Sequence, residues 1–123
     1  MNGAPWAMAG AIATALAVGF GAFGAHGLKG RVGPDALAWW HTGAQYHLHH
    51  ALGLFAVAWI STWSPHPRLV TTAGVALVAG LLLFSGSLYA MALTGMRGLG
   101  AITPLGGTAW IVGWICLALA CRR

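Results

Sequence analysis

All six basic side chains of this chain, Lys29, Arg31, Arg68, Arg97, Arg122 and Arg123, fall in loops or at the carboxyl end, and the stretches between them are apolar. Asp35 is the one acidic residue, and 59% of the 123 residues are hydrophobic. So few polar side chains cannot cover a water-soluble globule. The pattern predicts a single all-α domain, 1–123, folded as an integral membrane four-helix bundle with spans at about 5–25, 45–63, 69–94 and 104–121. Its partner is then the lipid bilayer, whose headgroups the loop cations would meet. No basic stripe interleaved with aromatic residues is present, so a nucleic-acid partner is not expected.

A single carboxylate excludes chemistry that needs two, such as glycosidase pairs and carboxylate-bridged diiron cages. Asp35 reads as a helix-start residue after Gly33 and Pro34, facing the positive end of the dipole. Cys116 and Cys121 lie about 140° apart around a helix, so they form no C-x-x-C pair and read as small apolar membrane residues.

Pro34 to Trp63 concentrates four of the histidines. As one helix it would extend roughly 45 Å, more than the ~30 Å hydrocarbon core, so part of it should lie outside. The expected division is a short interfacial helix over Asp35 to Thr42, a bend near Gly43 and a span from about Gln45. Trp39 and Trp40 would then sit among headgroups. At 100° per residue, Trp39, Gly43, Tyr46, His47, His50, Leu54, Val57 and Ser61 share an inward face, opposite a lipid-facing stripe of Leu48, Leu52, Phe55 and Trp59. His49 falls to one side and His41 points outward.

The first span is sorted by size. Met8, Ile12, Leu16, Phe20 and Phe23 make a bulky stripe directed at lipid, and the remaining Ala and Gly positions, Ala15 among them, offer small faces for helix packing. A cleaved signal peptide is disfavoured because no Lys or Arg precedes the apolar run. Ser64-Pro65-His66-Pro67 is a turn between the second and third spans, and Thr103-Pro104 starts the fourth. Each hairpin has the plan helix, glycine-rich basic loop, proline-started helix, and no finer repeat is read.

GAFGAHGL at 21–28, WxTxxQYHxxHAL at 40–52, LFSGSLY at 83–89 and ITPLGG at 102–107, followed by Gly113-Trp114, resemble the YgdD-type family of small bacterial inner-membrane proteins. That family, which has mitochondrial relatives, is a domain of unknown function. The resemblance implies four spans and a place in the bacterial inner (cytoplasmic) membrane, and it brings no catalytic residues.

Antiparallel threading puts the end of helix one, the start of two, the end of three and the start of four on one side. His26, Tyr46, His47, His50, Ser85, Ser87, Tyr89 and Thr103 then share a depth, with His26, His50 and Tyr89 expected as neighbours. Two uses of this cluster are open. In one the groups satisfy each other, because unpaired polar groups in hydrocarbon cost several kcal/mol. The protein is then a membrane-embedded structural or interaction subunit, alone, as a homo-oligomer or in a larger complex. In the other, His26, Tyr46, His47, His50, Ser85 and Tyr89 hold a ligand: a quinone or lipid headgroup, or a metal or haem on His26, His47 and His50. An enzyme has least support, since HLHH lacks the Glu of an HExxH site and Ser85 lacks a nucleophile-elbow context. A Ser85–His50 dyad is its best remaining form. Loop charge divides evenly between the two sides, and both termini are expected in the cytoplasm.

Overall fold

The computed structural model describes residues 2–123, and among them every regular element is helical, with no strand. There are four helices: α1 (Ala4–Leu28), α2 (Pro34–Ile60), α3 (Pro67–Thr94) and α4 (Thr103–Ala120). Each has a proline in its first turn. There a fixed φ favours the helix and the missing N–H removes no bond. Gly95, in the left-handed region at φ 71°, ends α3 and returns its N–H to the Met91 carbonyl.

α1, α3 and Arg97–Ala120 are long and apolar enough to cross a membrane; α2 is not counted with them. The less apolar helix is placed where its polar face is covered, since it packs on the other three. Its buried side carries Trp40, Gly43, Ala44, His47, His50, Leu54 and Val57. Leu48, Leu52, Phe55 and Trp59 are exposed on the other side, as their spacing predicts.

α2 runs unbroken from Pro34 to Ile60, so neither the bend near Gly43 nor a separate interfacial helix over Asp35 to Thr42 is formed. Gly43 serves packing instead of bending. A Cβ there would come 3.1 Å from the Tyr89 ring, and the Gly43 carbonyl accepts the Ser85 hydroxyl at 2.8 Å. Trp40 is likewise no headgroup anchor. It is 3% exposed, and its indole N–H donates to the Phe20 carbonyl at 2.7 Å.

On α1, Met8, Ile12 and Leu16 point outward as expected. Phe20 and Phe23 instead turn toward α2, both edge-on to Trp40. The small residues divide too: Gly10 and Ala17 are buried, whereas Ala11, Ala15 and Gly19 are exposed. Only part of the small surface is therefore a packing face. Gly10 lets α1 close on Leu54 and Phe55, where an added Cβ would come 3.1–3.2 Å from their side chains.

The main core lies between α2, α3 and α4, around Leu54, Val57, Val70, Leu77, Trp110 and Leu117. A second cluster, Leu28, Trp40 and Ala92 with Phe20 and Tyr89 against it, closes the end bearing the first loop. At the opposite end, Ser64 Oγ donates to the Ala120 carbonyl at 2.6 Å and binds the α2–α3 turn to the end of α4.

The two hairpins share a finer device than their loops announce. Trp40 and Trp110 each lie six positions after a helix-starting proline, Pro34 and Pro104. Trp110 donates to the Leu77 carbonyl at 3.0 Å, as Trp40 does to Phe20. Each accepting carbonyl stands just before a π-helical turn, Phe23–Leu28 in α1 and Leu81–Ser85 in α3. Each indole fills the space left by a glycine, Gly24 or Gly80, where a Cβ would collide with the ring. Such single-turn π segments redirect side chains, and here they sit where neighbouring aromatic rings enter.

Candidate functional site

The polar residues form two groups. In the first, between α1, α2 and α3, His47 Nδ1 and the Tyr89 hydroxyl are 2.8 Å apart. This bond ties α2 to α3, and Ala13 of α1 lines a hollow beside the imidazole. Phe20 packs edge-on to Tyr89 at 5.0 Å and Trp40 lies 4.5 Å from the same ring, covering the pair with aromatic surface.

His50 centres the second group, between α2, α3 and α4. It lies flat on Trp110, with centroids 3.6 Å apart and planes 7° from parallel. Tyr46 extends the stack, 6.3 Å from His50, and Phe84 packs against both Tyr46 and Trp110. His50 Nδ1 meets the Tyr46 carbonyl at 2.8 Å. A carbonyl only accepts, so the proton is on Nδ1 and Nε2 keeps its lone pair.

The expected trio of His26, His50 and Tyr89 is not assembled. Tyr89 bonds His47, His50 turns to Trp110, and His26 is exposed on the π-helical turn of α1. Nor, among the described residues, do three His, Cys, Asp or Glu side chains, His26, His47 and His50 included, stand together so as to hold a metal ion. Threading depth alone suggested His26, but its place on the π-helical turn Phe23–Leu28 leaves its side chain exposed.

Ser85 spends its hydroxyl on the Gly43 carbonyl, so it is not held as a nucleophile by His50. Ser87 and Thr103 share a hydrogen bond of 2.6 Å between the end of α3 and the start of α4. Among the described residues, no buried side-chain nitrogen or oxygen is without a partner. Outside the bundle, Arg97 reaches Asp35 at 3.2 Å and lies over the Trp39 ring at 5.1 Å. Both charged side chains are largely exposed, so the pair joins the first turn of α2 to the segment between α3 and α4 at a gain below about 1 kcal/mol.

Trp40, Trp110, Phe20 and Phe84, which build the walls of both groups, are absent from the polar inventory that sequence reasoning assembles. A usable signal existed in the repeat Pro-x5-Trp-x2-Gly at Pro34-Trp40-Gly43 and Pro104-Trp110-Gly113.

Helices of this apolarity, with polar groups turned inward and paired, define a helical membrane protein. The chain belongs to the family described as "Protein of unknown function (DUF423)", whose model matches residues 20–107. It is 55% identical over 111 residues to the UPF0382 membrane protein YwdK of Bacillus subtilis, covering 90% of each chain. It is 46% identical to the UPF0382 membrane protein SERP0230 of Staphylococcus epidermidis, covering 90% of this chain and 89% of that one. No solved structure matches.

Proposed function

We propose that this protein is a four-span structural or interaction subunit of the bacterial cytoplasmic membrane, with α2 as the hub on which the other helices assemble. The observation that carries the reading is the pairing of its buried polar groups with one another and with backbone carbonyls, above all His47 with Tyr89 and Ser85 with Gly43. Groups spent on mutual bonds fix helix positions in hydrocarbon, where each would otherwise be costly. α2 is not apolar enough to cross alone, and its burial by three apolar helices supports its insertion as the fourth span. Reporter fusions at Asn2 and Arg123 should then report the same compartment. Opposite compartments would refute the topology.

The competing use as a ligand-binding module rests on one observation, the His50 Nε2 lone pair beside the exposed ring of Tyr46. The two readings separate on purification in mild detergent. A subunit is expected to be colourless, and His50→Phe, which keeps a flat ring on Trp110, should preserve its association with other membrane components. A co-purifying chromophore or small molecule lost in His50→Phe would overturn the structural reading in favour of the ligand.

A further inference from the structure

We infer that the outward face of α3 is a seat for one anionic phospholipid, its phosphate at Arg68 and one acyl chain running down the crevice between α3 and α1. The face is a single stripe of alternating four- and three-residue steps, Arg68, Thr72, Val75, Ala79 and Leu82, so these residues lie one above another on the helix. Three hollows follow it. The first, about 620 Å³, is lined by Arg68, Thr72 and Val75. The second, about 350 Å³, begins at Val75 and continues past Ala79 to Leu82, with Trp6 of α1 as its far wall. The third, about 230 Å³, shares Leu82 and runs between Leu16 and Phe20 of α1 and α3. Shared residues make them one track.

Charge and length identify the occupant. Asp35, the only acidic side chain, is engaged by Arg97 at the other end, and among the described residues Arg68 has no ion-pair partner. The track therefore offers a cation to an anionic head, then threonine, then an apolar lining through the second hollow, with His47 and Tyr89 entering only in the third. From Arg68 to Leu82 the helix rises about 21 Å, which is half of a bilayer of ~40–45 Å counted with its headgroups. A lipid of one leaflet spans that distance from phosphate to chain end. α1 packs chiefly on α2, so the gap toward α3 is bridged near its outer end by Trp6 over Gly74 and at its far end by Phe20 against Tyr89, with the crevice between them.

The test is native mass spectrometry of the full chain released from mild detergent after addition of dioleoylphosphatidylglycerol. Wild type should retain one lipid in preference to dioleoylglycerol, which lacks the phosphate. Arg68→Gln should retain it about five-fold less, the effect of one cation at a membrane surface. Arg97→Gln, whose cation is already paired, should match wild type. Ala79→Trp, which fills the track, should abolish retention while circular dichroism shows the helices intact; if it unfolds, Arg68→Gln decides alone. Equal retention by Arg68→Gln and wild type, an equal loss in Arg97→Gln, equal retention of dioleoylglycerol, or undiminished retention by folded Ala79→Trp would each overturn the site.

Discussion

The His50 imidazole of α2 lies face to face with the Trp110 indole of α4, 3.6 Å between centroids, while the same indole donates its N–H to Leu77 of α3. One side chain therefore holds three helices in register. Trp110→Phe keeps an aromatic face for His50 but loses the hydrogen bond and part of the ring volume. It should cost about 2 kcal/mol. Trp114→Phe, at a 40% exposed position, should cost less than half as much. Thermal unfolding in one detergent compares the two.

Tyr89→Phe removes the hydroxyl and leaves His47 Nδ1 without its partner. The expected loss is about 1–2 kcal/mol, and His47→Ala should exceed it because the packing of the imidazole against Phe20 and Tyr89 is lost as well. His26→Ala, His41→Ala and His49→Ala alter exposed side chains and should fall within about 0.5 kcal/mol of wild type. Melting temperatures of the five variants rank them. Equal effects across all histidines would remove the special place of His47.

Gly24→Ala and Gly80→Ala place a methyl group in the Trp40 and Trp110 rings respectively. Each should destabilise by about 1–3 kcal/mol through overpacking. Gly19→Ala is the matched control, with nothing within 4 Å of the new Cβ, and should be neutral or slightly stabilising. A scan of detergent stability across the three would show whether the tryptophan seats are rigid.

Ala17→Leu and Ala15→Leu separate the two small faces of α1. Ala17 is 4% exposed, so a larger side chain there should force the helices apart and lower the unfolding temperature. Ala15 faces outward and should accept leucine with little change. The opposite order in a thermal assay would reverse the packing face.

Much of the architecture was determined by local chemistry that needs no tertiary contact. The placement of every cation at a helix end or between helices, the helix-starting prolines and the Leu48, Leu52, Phe55, Trp59 stripe depend only on solvation and on the 100° step of a helix. They therefore define helix number, helix ends and the outward face of α2. Gly43 shows where such reasoning stops. A glycine in a long helix reads as a bend when the chain is viewed alone, because its lack of a side chain suits flexibility and close approach equally well. Only the arrival of Tyr89 and Ser85 at that position decided for close approach.

The candidate site divided in the same way. Sequence spacing brought Tyr46, His47, His50, Ser85 and Tyr89 to one end of the bundle, since depth follows from helix length and threading. Which groups would meet depended on azimuth. Two π-helical turns, at Phe23–Leu28 and Leu81–Ser85, shift the angular position of everything beyond them. A regular 3.6-residue helix cannot anticipate that shift, so His26 fell outside the cluster and Tyr89 met His47 instead of His50. The composition by itself determined that this is a helical membrane chain with its polar groups gathered toward one end. The tertiary structure alone decided that those groups are two separate aromatic-walled knots, because partner choice in a packed interior is set by angles and contacts that arise only once the helices are side by side.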